Sequence, residues 1–531
     1  MHGMAIRRYL ITVSVSERSF RFLPTWSVIR VRTVPQFFFL LFLAIKVLKP
    51  RYSFRNIAGH EGRSIHNIDI NLSKSRPPSR ITIGRFPNEV LLHFFGISRD
   101  HATEEDIDDF DLDPDELFRK THPILAVSQT CSHWRTLALS SPQLWASIHV
   151  RFHESDDLER AFTMRDTVSL YLQRSANLPL DIDVHAFSSE FDGPLHHQAC
   201  LLLFKHGSRW RHLTLQLDRQ DPLILPRMPL LESFSISKLE AGILALFVQR
   251  SSVGEMKRFE APRLRRLEVT APMRIGFSNF FDTKALTHLV LCAPHITDFL
   301  NILRSATNLL GLELMGMSGV ADISRPSTVT SNLRKLIATG LTATSFLALF
   351  RHVTLPSLSM LEMLASEHCD APSKDGQQVF YSFIQRSKPP LKELQFDTDL
   401  LPGRIGDVGR ILHMLPSITI FGGHIKEELQ PALLEMVKSR EVLPNLENLV
   451  LLLWEGLGTC GSLLIRVLKD RMKGTGSVGA LKSFKLRCNT KHLHAEVEAG
   501  LKELEKHGLE IEWDIDPEWP YRASDFALSA F

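Results

Sequence analysis

Cysteine is scarce: there are six in 531 residues, at positions 131, 200, 292, 369, 460 and 488. No two lie closer than 28 residues, so there is no C-x-x-C pair and no zinc-type spacing. Six would make a sparse disulfide scaffold for this length, and the thiols read as reduced, in an intracellular (cytoplasmic or nuclear) protein. Charge of one sign is also missing. The chain has 62 Lys and Arg against 59 Asp and Glu, a formal net charge of +3, too little by itself to argue for nucleic acid or an anionic membrane. A long hydrophobic run is missing too. In FFFLLFLAIKVL (37–48) the uncharged core, 37–45, is nine residues, where a membrane helix needs about 20. Lys46, Lys49, Pro50 and Arg51 follow it, not the small residues of a signal-peptide cleavage site. The first 60 residues carry ten Arg and Lys and one acid, Glu17. Residues 1–80 therefore read as a basic, disordered leader ending in a polar linker, with membrane association through 37–48 as the alternative.

Several chemistries are excluded by what is incomplete. There is no G-x-S-x-G elbow, so no hydrolase signature. The acidic insert at 99–122 holds nine acids within 101–122, but counted from Asp106 an EF-hand loop would need glycine at Asp111 and glutamate at Leu117. His492 and His494 are two apart and His196 and His197 adjacent, neither of which is a zinc-helix spacing. GLGTCG (456–461) lies between an expected strand and helix, as in dinucleotide folds, but the next strand ends at Cys488 and Asn489, without the acidic partner. The second match, GTGSVG (474–479), leads into a strand. No catalytic residue, metal or cofactor is expected; a nucleotide-binding enzyme stays as a remote alternative.

Positive signals begin at FPNEVLLHFF (86–95). Pro87 suits a first helical position and Glu89 a first turn. Val90, Leu91, Phe94 and Phe95 form one apolar stripe. PILAVSQTCSHWRTLALSSPQLW (123–145) predicts a second helix from Pro123, with Ile124, Val127, Cys131 and Trp134 on one face and Cys131 as a small buried apolar residue. Ser141 and Pro142 predict the N-cap and N1 of a third helix that turns Leu144, Trp145 and Ile148 to one side. A unit of about 60 residues does not bury two tryptophans and several phenylalanines internally, so apolar surface is left for a partner or for the next domain.

The ordered combination of these blocks resembles the F-box family. Pro87, Glu89, Val90, Phe94 and Phe95 match its first block, Val127, Cys131, Trp134 and Leu137 its second, and Leu144 and Trp145 its third. Phe86 stands where Leu is usual and Ser132 where a basic residue is common, and the insert is longer than usual. The resemblance covers about 65 residues. It implies a helical trio docking on the Skp-type adaptor of a cullin–RING ubiquitin ligase through Pro87, Glu89, Val90, Leu91, Phe94, Phe95, Val127, Cys131, Trp134, Leu144 and Trp145.

The rest of the chain repeats. L-x-x-L-x-L recurs as WRHLTL (210), LESFSI (231), LRRLEV (264), LTHLVL (286), LLGLEL (309), LRKLIA (333), LSMLEM (358), LKELQF (391), LPSITI (415), LENLVL (446) and LKSFKL (481). Helical stretches fall between them, at 296–306, 342–353, 408–415 and 460–472. Strand, turn, helix and return at this period is the mark of leucine-rich repeats, here irregular and without an asparagine ladder at most positions. It is similar to the divergent repeats behind F-boxes in fungal sets of such proteins. The expected fold class is an α/β repeat: an F-box-like domain at 81–150, a repeat solenoid of parallel strands at 151–516 and a tail at 517–531. The expected function is a non-catalytic substrate receptor of a ubiquitin ligase, holding the adaptor by the helices and an unknown protein by the repeats. A repeat scaffold without a ligase is the main alternative.

Overall fold

Proline at the second position of a turn introduces many of the strands. The computed structural model describes residues 11–13, 20–22, 87–101, 121–152, 158–186, 194–217, 226–237, 259–270, 281–317, 328–366, 375–400, 405–453, 457, 460–473, 480–488 and 494–515. The run 37–48, most of the acidic insert, GTGSVG, His492 and the tail lie outside them. The chain forms two units, 1–80 and 81–531. In the first, Ile11–Val13 pairs antiparallel with Phe20–Phe22.

The second unit is an α/β fold. It opens with helices α1 (Asn88–His101), α2 (Pro123–Thr130) and α3 (Ser132–Leu139) and a 3-10 turn, Pro142–Trp145. Strands β1 (Ser147–Phe152), β2 (Leu180–Ala186), β3 (Trp210–Leu217), β4 (Ser233–Ser237), β5 (Arg266–Val269), β6 (His288–Cys292) and β7 (Gly311–Met315) follow. The series continues with β8 (Lys335–Leu341), β9 (Met360–Ala365), β10 (Glu393–Phe396), β11 (Ile420–His424), β12 (Asn448–Leu453), β13 (Ser483–Cys488) and β14 (Glu510–Ile515). All 14 form one sheet in chain order, and every neighbouring pair is parallel. Parallel neighbours need a crossover. Nine described helices supply crossovers: α4 (Leu158–Arg174), α5 (Pro194–Lys205), α6 (Ile296–Ser305), α7 (Ala343–His352), α8 (Gly376–Ser387), α9 (Ile405–His413), α10 (Gln430–Lys438), α11 (Gly461–Met472) and α12 (Ala495–Lys506).

The period of two along each strand sorts the side chains into two faces. Phe234, Leu267, Leu289, Leu312, Leu336, Leu361 and Leu394 share one register column. All are at most 2% exposed and join one core with helix side chains such as Phe299, Phe346, Phe350 and Phe383. Burying each of these residues contributes about 1.5–3 kcal/mol before entropy is counted.

Two backbone devices repeat with the leucines. The leading leucine donates its N–H three residues back, as in Leu231 to Met228, Leu264 to Ala261, Leu358 to Leu355, Ile418 to Leu415 and Leu446 to Leu443. Pro229, Pro262, Pro356, Pro416 and Pro444 sit at the second position of these turns, where a fixed φ costs nothing. The residue after each leading apolar residue then forms a continuous ladder. Glu232 N–H donates to Arg211 O, Arg265 to Glu232, Thr287 to Arg265, Leu310 to Thr287, Arg334 to Leu310, Ser359 to Arg334, Lys392 to Ser359, Thr419 to Lys392, Glu447 to Thr419, Lys482 to Glu447 and Glu510 to Lys482, all between 2.7 and 3.0 Å. This main-chain ladder pairs one N–H and one carbonyl of each repeat at the entry to its strand. Arginine assists at individual turns. The buried Arg471 guanidinium donates to Val437 O (2.6 Å), Leu443 O (2.8 Å) and Ser439 O (2.7 Å). Arg386 does the same for Phe350 O and Val353 O.

Several sequence expectations change in register. LPSITI was expected to carry its core residues at Leu415, Ile418 and Ile420. Instead Ile418 is the leading residue and Phe421, aligned with Leu394 and Leu449, is the second. Its Leu415-Pro416 belongs to the preceding turn. Leu178 has the same period-two spacing as Leu180, Ile182 and Val184 but is 37% exposed while those three are buried, because the strand starts at Leu180. The expected helix over 141–148 is a single 3-10 turn that runs directly into β1. Ile148 and Val150 are β-branched and alternate inward, which favours a strand there.

Candidate functional site: the opening helices and the polar sheet face

The opening helices divide the predicted adaptor residues into an inner and an outer set. Pro87 precedes α1, its carbonyl accepting from Val90 N–H (3.0 Å) and Leu91 N–H (3.2 Å); it is the N-cap, one position earlier than expected. On α1, Leu91 and Phe95 are 3% and 2% exposed. Pro87 and Glu89 are exposed, and Val90 and Phe94 keep part of their surface open. Phe95 meets Trp134 edge to face at 5.1 Å. Val127 on α2 is half-buried.

Cys131 is a correction. The expected continuous helix from Pro123 breaks there, with φ −156° and ψ 167°. Cys131 is exposed rather than a core contact, and its Sγ accepts the Trp134 N–H at 3.4 Å as the N-cap of α3. Arg135 Nε bridges the break to Ser128 O (3.0 Å). Ser141, expected as an N-cap, makes no capping bond; its hydroxyl donates back to Leu137 O (2.8 Å) and closes α3.

The two tryptophans face inward. Trp134 is 6% and Trp145 0% exposed, and Leu144 is 2%. Trp145 donates Nε1–H to Ala138 O (2.8 Å), packs edge to face on Tyr171 (5.0 Å) and lies under the Arg174 guanidinium (4.4 Å). Tyr171 and Arg174 belong to α4, so the first crossover helix covers this ring. Register explains why. Ile148 aligns with Ile182, and Ile182 with Leu213, which places WASIHV (145–150) on the same pattern as WRHLTL (210–215). Trp145 is thus the leading core residue of the first repeat. The W-x-x-I-x-V spacing was present in the sequence but was absorbed into the helical block.

The sheet face away from the core is polar and falls into distinct clusters. At β1–β2, Asp183 accepts from His185 Nε2 (2.8 Å) and pairs with His149 Nδ1 (3.3 Å) and Arg151 (3.7 Å). Burial would raise this carboxyl, but the bonds from His149 and His185 outweigh it and hold it well below the usual range. Ser147 Oγ lies 3.0 Å from His149 Nε2. At β10–β11, Asp397 Oδ1 pairs with His424 Nδ1 (3.1 Å) and accepts from Asp399 N–H (2.9 Å).

Between these lies a column that reads Glu268, Val290, Glu313, Ile337, Glu362, Gln395 on successive strands β5 to β10. Lys335 is 3.4 Å from Glu313 and Arg266 is 3.9 Å from Glu268. Glu362 is pushed up to about 7 by burial, then by Glu393 and Glu313, against the pull of Lys335. Burial also raises Glu268, with Glu313 adding to it and Arg266 opposing. These outward positions mix charges, Arg266 and Lys335 with Glu268, Glu313 and Glu362. The partial neutralisation of the middle column needs the cross-strand register and was not legible.

The glycine motif at 456–461 is described at Leu457, Cys460 and Gly461. Leu457 and Cys460 are buried, and Gly461 opens α11 where a Cβ would collide with Val497 of α12. Helix packing accounts for that glycine. Among the described residues no three metal-ligating side chains gather, and no helix is long and apolar enough to cross a membrane. None of the five described cysteines is in a disulfide. No family model matches the chain, and no curated protein matches its sequence.

Proposed function

We propose that this chain is an F-box-type substrate receptor whose opening helices hold a Skp-type adaptor and whose leucine-rich-repeat array holds a target protein. The observation that carries the reading is the division of apolar residues on α1. Leu91 and Phe95 close the core with Trp134, while Val90 and Phe94, one position away on the same stripe, keep surface open beside the exposed Pro87. A helix presenting apolar side chains in this way suits a partner's groove. The repeats supply a parallel sheet with one face free of the core, the usual arrangement for capture along a stacked array. The receptor forms no bond itself; it raises the effective concentration of the target at the ligase.

Burial changes which residues are tested. Trp134, Trp145, Leu144, Leu91 and Phe95 support the unit from inside, so their substitution reports on folding. Contact falls to Pro87, Glu89, Val90, Phe94 and Val127. Purified full-length chain is titrated with adaptor, and Val90→Asp is compared with wild type. Binding that is lost in Val90→Asp at unchanged melting temperature supports the reading; absence of binding by the wild-type chain sinks it.

A further inference from the structure

We propose that the carboxylate column on β5, β7 and β9, with Glu393 beside it, receives lysine or arginine side chains of the captured protein. The inference rests on the receptor reading above and names the chemistry of its target.

Three observations carry it. The column alternates acid and apolar residue, Glu268, Val290, Glu313, Ile337, Glu362, on adjacent strands. With strands about 4.8 Å apart, the backbone positions that bear successive carboxylates are about 9.6 Å apart, with an apolar rung between them. Second, among the described residues two cations form ion pairs with the column, Arg266 with Glu268 and Lys335 with Glu313, and Lys335 also attracts Glu362. His288, on the neighbouring column between them, is held below its ordinary pKa by burial and by those same two cations, so it adds little positive charge. Third, Glu362 is only 6% exposed yet makes no hydrogen bond or ion pair with any described residue. Its neighbour Glu393, 8% exposed, accepts only the Gln395 amide (2.8 Å) among the described residues.

The contrast with Asp183 is instructive, because both carboxylates sit on the same face of the same sheet. Asp183 is surrounded by His149, His185 and Arg151 and is complete. Glu362 has another carboxylate next to it instead. A buried carboxylate without a partner is unfavourable unless it protonates or gains a cation. A metal ion is the poorer match, since no three-ligand group forms among the described residues. A primary ammonium or guanidinium carried on a flexible methylene stem reaches such a site. Partial burial also makes the attraction less sensitive to salt than an exposed pair.

The test uses the full-length chain and two fluorescent 12-residue peptides, one alternating Lys and Ser, the other Glu and Ser, at pH 8. The Lys peptide is expected to bind saturably and the Glu peptide not at all. Glu362→Gln and Glu313→Gln, each keeping shape, are each expected to weaken the Lys peptide about tenfold without changing adaptor affinity. Glu268→Gln, at the edge of the column, gives a further variant if either of these melts early. Lys-peptide binding that is absent, or equal in wild type and all three variants, overturns the proposal. So does saturable Ca2+ or Mg2+ binding that Glu362→Gln removes. Adaptor binding measured in the same samples separates this outcome from failure of the receptor reading.

Discussion

The indole of Trp145 meets the phenol ring of Tyr171 edge to face, 5.0 Å between centroids. One residue closes the helical opening and the other belongs to the first crossover helix, so the two parts share a core. Trp145→Ala should therefore destabilise the whole unit, by about 3–5 kcal/mol, the usual range for a large buried aromatic. Urea unfolding followed by circular dichroism should show one shifted transition. A variant as stable as wild type, or one in which only the opening helices melt, would contradict the shared core.

Arg471 is expected to be irreplaceable by lysine. Its guanidinium serves three carbonyls, those of Val437 and Ser439 at a helix end and that of Leu443 beyond it, while burial, and then Arg440, lower its pKa to about 10. A lysine ammonium is a single point and does not match the fork. Arg471→Lys and Arg471→Met should both lose stability, on the order of 3 kcal/mol or more, since unsatisfied buried groups cost about 1–3 kcal/mol each. Equal urea midpoints for Arg471→Lys and wild type would refute this role.

Stability should fall with rising pH through one identifiable group. The folded pKa of Glu362, about 7, lies above its ordinary value of 4.5. The folded state thus holds a proton that the unfolded chain has released between those values. The advantage is complete below about pH 4.5 and lost as pH rises to about 7. Glu362→Gln should be more stable than wild type at pH 8, by up to about 3 kcal/mol at 1.36 kcal/mol per pKa unit, and this difference should shrink at pH 5. Parallel stability–pH curves for the two proteins would show that the carboxyl is not perturbed.

Ser147, His149 and Asp183 stand in the order of a nucleophile, a base and an orienting carboxylate, at 3.0 and 3.3 Å. They form a polar rung of the sheet, because Asp183 is also engaged by His185 at 2.8 Å and by Arg151 at 3.7 Å. A fluorophosphonate probe should leave Ser147 unlabelled in intact-mass spectra. Stoichiometric labelling abolished by His149→Ala would make the protein an enzyme.

The repeat was legible because its signal is chemical and local: leucines at fixed spacing, with proline before them. The parallel order and many of the crossover helices follow from that pattern. Where apolar residues were abundant the register was ambiguous. LPSITI offered two frames, and only the turn at Pro416 and the column Leu394–Phe421–Leu449 select one. Trp145 was misassigned for the same reason, since an indole fits either a helix end or a leading core position. Cys131 was misread because its spacing is helical, while its backbone is extended. The environment of Glu362 was invisible, since cross-strand neighbours far along the chain, Glu393, Lys335 and Glu313, set it.

The central claim is adaptor capture by the outer face of α1. The most direct measurement is calorimetric titration of the full-length chain with a purified Skp-type adaptor, alongside Val90→Asp and Phe94→Asp with verified folding. The account predicts saturable one-to-one binding by wild type and loss of at least tenfold in each variant. No binding by wild type, or equal binding by all three proteins, would contradict it.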